Sequence, residues 1–196
     1  MPREARRIER GDILPPEVYA QRRSELRKAL VAKKRDRRLA VGPIVMLYFE
    51  SFDTMLGQVQ EMLHIEKGGE AQIEDELNAY NPLIPQGREL VATMMIEIDD
   101  PVRRARTLAQ LGHIEEKVSL QFDGEEVTAI PEDDAERTTP DGKTASVHFL
   151  HFRFTDAQVA KFRATKQVIA AITHPNYGHL AIMPEAVQQA LAGDFA

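Results

Sequence analysis

The chain has 196 residues, 43% of them hydrophobic, 29% charged and 6% aromatic, carries a formal charge of −6 at pH 7, and holds neither cysteine nor tryptophan. Zero cysteines exclude a disulfide scaffold, a cysteine nucleophile and an iron–sulfur cluster held by the protein's own thiolates. The length admits one domain or two small ones. No stretch approaches the roughly 18 apolar residues of a membrane span, and Met1–Gly11 is charged where a signal peptide would be apolar. A soluble cytoplasmic protein is expected.

Charge is unevenly spread. Met1–Arg38 holds 13 Lys+Arg against 6 Asp+Glu, while the remainder holds 12 against 25. A basic head on an acidic body suggests internal docking or a shared interaction surface. The first expected element is a helix over Pro15–Arg37, opened by Asp12 and the Pro15-Pro16 pair, because proline suits the first helical turn. Val18, Tyr19, Leu26, Leu30 and Val31, with Ala29, form its expected core stripe. Arg22, Arg23, Arg27, Lys34 and Arg35 are assigned to the outer face as a partner surface. Leu39–Phe49 is apolar, interrupted at Gly42-Pro43, and its Ile44–Phe49 part suits a buried strand.

A second helix starts at Ser51 or Asp53 and runs to Lys67, where Gly68-Gly69 stops it. A short helix follows over Glu70–Ala79. Glu89–Asp99 alternates as a strand, with Leu90, Ala92, Met94, Ile96 and Ile98 on one face, and Pro101–Leu111 reads as a helix. Lys117–Phe122 and Glu126–Ile130 flank Asp123-Gly124, a hairpin signal. Glu132–Gly142 is a polar loop, and Ala145–Phe154 a strand. Thr155-Asp156 caps a helix to Ala164. Gln167–Thr173 and His179–Met183 are strands around the turn His174–Gly178, and Pro184 opens a last helix to Ala192. Without regular βαβ repetition the fold class is α+β, with mainly antiparallel sheet, an N-terminal basic helix and several packing helices. Residues 1–196 read as one composite unit, with a helix-rich 1–112 and a strand-rich 113–196 as the alternative division.

Val41-Gly42-Pro43, Phe49-Glu50, Thr54, Gln58–Met62, Glu66, Glu76–Asn81, Pro85, Glu89–Thr93 and Ile96-Glu97-Ile98 form a series. It resembles the uncharacterised bacterial family known as domain of unknown function 3501, and the likeness runs along essentially the whole chain. The resemblance implies context and no chemistry: such proteins are commonly encoded beside a rubrerythrin-like ferritin-fold protein and a cysteine-rich iron–sulfur oxidoreductase.

Glu61 and His64 share a helix face as Glu-x-x-His, the half-motif of di-iron bundles, which require two such motifs and two further glutamates. Alternatively they are polar surface. His148 and His151 fall on opposite faces of a strand and cannot chelate together. His148 suits a hydrogen-bonded core histidine, or a pocket residue. In His174-Pro175-Asn176-Tyr177-Gly178, His174 and Tyr177 could titrate and donate at a site, or simply satisfy a tight turn. The acidic runs Glu74–Glu76 and Glu132–Glu136 lack the spacing of a calcium loop, and no phosphate-binding glycine loop or nucleophile elbow occurs. The basic head could neutralise phosphates, but an acidic body would repel a duplex, so nucleic acid ranks last as a partner.

These readings lean away from an enzyme and require no cofactor. The leading expectation is an accessory or adaptor protein of a redox or oxidative-stress module, associated with a rubrerythrin-like or iron–sulfur partner, the module coming from the resemblance alone. The alternatives are a small-molecule binder or enzyme with a pocket using His148, His174, Tyr177 or Glu61, and a metalloprotein using Glu61 and His64.

Overall fold

The alternation Leu90, Ala92, Met94, Ile96 belongs to a strand at the centre of its sheet in the computed structural model, which describes residues 6–132 and 137–196. Helix α1 (Pro16–Arg35) leads into the hairpin β1 (Arg38–Val41) and β2 (Val45–Phe49), then α2 (Phe52–Glu66), α3 (Gly69–Tyr80), β3 (Glu89–Ile96) and α4 (Pro101–Leu108). After these come β4 (Val118–Phe122), β5 (Glu125–Thr128), β6 (Ile130–Pro131), β7 (Val147–Arg153), α5 (Asp156–Ala164), β8 (Ile169–His174), β9 (Tyr177–Ile182) and α6 (Glu185–Ala192). The described strands pair antiparallel in two sheets, ordered β1–β2–β3–β7–β6 and β5–β4–β8–β9. The α+β class read from the sequence is the one observed.

Sidedness follows from the alternation. Leu90, Ala92, Met94 and Ile96 enter the main core with Leu47, Leu150 and Phe152 of the same sheet and Leu120 and Ile172 of the other. Val159 and Phe162 of α5 and Val187 and Leu191 of α6 join it. Burying each large apolar side chain stabilises by roughly 1.5–3 kcal/mol, and slipping β3 by one residue would reverse all four, so this face sets its register. The opposite face of the first sheet presents Val91 to a second cluster built from Ile8, Met55, Val59, Leu77, Leu83 and Ile84. The first sheet therefore lies between the second sheet and a layer of α2 and α3. The main core draws residues from both sides of Gly112, and β7 pairs with β3 across that point.

Helix α1 differs from its expected packing. Tyr19 is buried and Leu26 and Leu30 are half-buried, but Val18 and Val31 are 39% and 69% exposed. At about 100° per residue, Tyr19, Arg23, Leu26 and Leu30 fall on one line, with Val18 and Val31 about a quarter-turn to either side. Contact is confined to that line because α1 meets α2 at Gly57, where a Cβ would lie 2.5 Å from Leu30 Cδ2. The basic head docks on acidic groups: Arg10 on Glu70 and Glu74 at 2.7 and 2.8 Å, Arg23 on Glu61, and Lys33 on Asp53.

The turn of the β1–β2 hairpin rests on β9. Gly42 has φ +75°, and a Cβ there would fall 2.5 Å from the Tyr177 hydroxyl. That hydroxyl donates to Val41 O at 2.7 Å and accepts from Ile44 N at 3.2 Å, joining the two sheets. Of the acidic run 132–136, Asp133, Asp134 and Glu136 lie outside the described residues. Among the described residues no helix is long and apolar enough to cross a membrane.

Candidate functional site

Glu50 follows β2 directly, at the junction where the chain leaves the sheet for α2. Its N–H donates to Val91 O at 2.7 Å, fixing it beside β3. Ser51 caps α2 by accepting from Thr54 N, and Ser51 N donates to Thr54 Oγ1 at 2.8 Å, which orients that hydroxyl. Thr54 Oγ1 then donates to Glu50 Oε2 at 2.6 Å, and Thr93 Oγ1 of β3 donates to Glu50 Oε1 at 2.7 Å. A carboxylate only 8% exposed thus sits at the base of a cleft, with each oxygen accepting one neutral hydroxyl.

The cleft measures about 340 Å³ and lies between the outer face of the first sheet and helices α2 and α3. Tyr48, Thr93 and Phe149 stand side by side across β2, β3 and β7 in the strand register. Met55 and Leu83 add apolar walls, and Gln58 and Tyr80 add polar ones. Burial raises the Tyr80 phenol's pKa, and the hydrogen bond Tyr48 donates to Glu97 at 2.6 Å raises that of Tyr48, so both phenols are neutral. Arg137 lies over the Phe149 ring at 4.8 Å. Lys34 and Arg37 stand at one side of the opening.

Arg37 ties this side to the C-terminal segment. Its guanidinium donates to Phe49 O at 3.0 Å and Glu50 O at 2.7 Å, and pairs with Asp194. A larger, more open cleft of about 780 Å³ lies beyond it, lined by Arg6, Lys33, Asp53 and Asp194. There the charges already answer one another: Lys33 pairs with Asp53, Arg37 with Asp194, and Arg6 donates to Pro85 O and Asp194 O. The smaller cleft is the stronger candidate because, among the described residues, no Lys, Arg or His pairs with its buried carboxylate.

Apart from Lys34, the candidate site residues named from the sequence lie outside this cleft. Glu61 accepts from both Arg23 nitrogens, at 2.9 and 2.8 Å, and from the Tyr19 hydroxyl at 2.5 Å. Arg23, then Tyr19, hold its pKa down to about 2 against the desolvation that opposes them. His64 meets the edge of the Tyr19 ring. Any metal taken by Glu61 and His64 would have to displace Arg23, and among the described residues no group of three His, Asp or Glu is placed to hold one. His148 is fully buried in the main core. Its Nε2 lies 3.0 Å from both Thr144 Oγ1 and Ala145 O, and its Nδ1 lies 3.6 Å from Glu115 Oε2. Desolvation lowers its pKa.

His174 bonds Gly112 O through Nε2 at 3.1 Å and accepts from Asn176 N through Nδ1 at 3.2 Å, so both ring nitrogens serve the turn. Tyr177 serves the inter-sheet tie. His148, His174, Tyr177 and Glu61 therefore address four different sets of partners and do not converge. Of the basic face, Arg22, Arg27, Lys34 and Arg35 are exposed and Arg23 is engaged by Glu61.

Sequence reasoning passed over Glu50, Thr93 and Tyr80 as site residues, although Glu50, Thr54, Gln58, Tyr80 and Thr93 all lie in the segments that carry the family resemblance. A family model described as "Protein of unknown function (DUF3501)" matches residues 7–195. The chain belongs to this family. A crystal structure of a protein of unknown function from Burkholderia pseudomallei is 38% identical to this family member, covering 96% of this chain and 99% of that one with a TM-score of 0.89. No curated protein matches the chain.

Proposed function

We propose that this member of the family is a small-molecule-binding protein whose site is the cleft above Glu50. One observation carries the reading: polar groups from β2, α2, α3 and β3, as far apart as Glu50 and Thr93, meet at a half-open cleft around a buried carboxylate. Apolar walls with a few convergent polar groups are the usual makeup of a ligand site. The carboxylate's two hydroxyl partners come from different elements, so its position is fixed before any ligand arrives. Ligand-detected NMR against a library of small polar fragments tests this. Binders competing for one site, lost when Gln58→Trp fills the cleft in a variant that keeps its thermal stability, support it. Binders unaffected by that filling overturn it.

A second reading, an accessory protein of a redox module with a rubrerythrin-like or iron–sulfur partner, takes its module from the family resemblance. Support for a protein partner comes from α1, a 20-residue helix whose Arg22, Arg27, Lys34 and Arg35 face solvent beside the exposed Val18 and Val31. A cationic face with scattered apolar residues suits an acidic partner surface. Co-purification with such a partner, abolished by Arg22→Glu/Arg27→Glu, is the expected result; association insensitive to that reversal refutes the surface.

A further inference from the structure

The chemistry around Glu50 specifies more than a cavity. We infer that the cleft takes a small organic amine, with its ammonium on the Glu50 carboxylate and its apolar part against Met55, Leu83, Met95 and Phe149. This rests on the reading of the cleft as a ligand site and adds the class of ligand.

Thr54 Oγ1 accepts from Ser51 N and donates to Glu50 Oε2 at 2.6 Å, closer than its other acceptor, Ser51 O, at 3.1 Å, and Thr93 Oγ1 donates to the other carboxylate oxygen. Each oxygen of the carboxylate keeps a further acceptor position. A carboxylate withdrawn from water is costly unless it is hydrogen-bonded and a cation faces it. Hydroxyl groups are neutral, and the buried Arg37 gives its nitrogens to the Phe49 and Glu50 carbonyls and to Asp194. Among the described residues no Lys, Arg or His forms an ion pair with the Glu50 carboxylate, and the open side of the cleft is where a cation can enter. Tyr48 and Tyr80 border the same space, and aromatic rings favour cations over anions, as the Arg137 guanidinium already seated over Phe149 illustrates. Lys34, which also lines the cleft, is exposed, and its four-carbon stem lets the ammonium turn to water as a ligand enters or meet an acidic group at the ligand's far end.

The test titrates the protein with three matched probes, phenethylamine, phenethyl alcohol and 3-phenylpropionate, following backbone amide resonances. The amine is expected to shift Thr93, Gln58 and Met95 saturably and to bind at least about tenfold more tightly than the alcohol, the scale of one charge-assisted hydrogen bond. Glu50→Gln, which keeps the shape and one acceptor oxygen, is expected to erase that preference while leaving the spectrum folded. Should Glu50→Gln fail to fold, Thr93→Val, which removes one orienting hydroxyl, is expected to weaken the amine and spare the alcohol. Alcohol or acid binding at these residues as well as the amine overturns the amine class and leaves the cleft as a ligand site. An amine that moves none of these resonances overturns the inference outright.

Discussion

Removing the guanidinium of Arg37 strikes the point where α1, the β2–α2 junction and the C-terminal segment are joined. Arg37→Met keeps most of the stem and its packing, but it leaves Asp194 as a carboxylate whose side chain is only 14% exposed, and it strips the Phe49 and Glu50 carbonyls of a donor. Breaking a buried pair from one side costs about 3–5 kcal/mol. At roughly 2–4 °C per kcal/mol for a chain of this size, the melting temperature should fall by about 6–20 °C. Asp194→Asn alone is expected to be destabilising too, because the guanidinium loses its counter-charge. The double variant should cost about 1–3 kcal/mol less than the sum of the two, since neither charge is then left alone. A pH test accompanies the cycle. Burial raises the Asp194 pKa against the opposing pull of Arg37, and a raised carboxyl pKa contributes stability on the acid side that is lost as pH rises through the folded value. With Arg37 gone, mild acid should therefore restore part of the Arg37→Met deficit. Denaturant titrations of the four proteins measure all of this. Arg37→Met within about 1 kcal/mol of the parent, or strictly additive singles, would show that the Arg37–Asp194 pair does not hold this junction together.

Three further outcomes are expected. His151 lies 3.2 Å from Glu89 through one ring nitrogen and 3.2 Å from Glu132 through the other, which requires the imidazolium; Glu89 first, then Glu132, raise its pKa above the ordinary 6.5. Its contribution is complete below that value and disappears as pH rises through the folded one, so His151→Gln should remove a loss of stability on the alkaline side. His148 has the opposite sign: desolvation lowers its pKa, its contribution is present above 6.5 and fades as pH falls through the folded value, and His148→Gln should flatten the acid limb of the same denaturation series. Tyr177→Phe leaves Val41 O and Ile44 N without their shared hydroxyl and should cost about 1–3 kcal/mol by thermal or chemical denaturation, with the fold retained.

Local pattern carried much of the fold. The alternation of β3 and β7 placed Leu90, Met94, Leu150 and Phe152 on one face and separated His148 from His151, because side-chain period two is a property of the strand alone. The stripe on α1 was half legible: the period identified a helix, but which line along it meets α2 depends on Gly57, more than twenty residues away. The cleft was not legible from periodicity. Glu50 ends an apolar run and looks like a strand terminus; its meaning comes from Thr93, 43 positions on, which only the β2–β3 register brings alongside. The Arg37–Asp194 pair spans 157 positions and has no local signature at all. Conversely, His174 and Tyr177 drew notice for their chemistry, and the structure uses both to satisfy backbone groups.

Whether a small molecule binds in the space above Glu50, as proposed, is answered residue by residue by amide chemical-shift mapping during titration with a pooled set of polar fragments. Saturable shifts gathered on Gln58, Tyr80, Thr93 and Met95 are expected; shifts confined to the charged cleft around Arg6 and Asp194, or spread evenly over the surface, would contradict it.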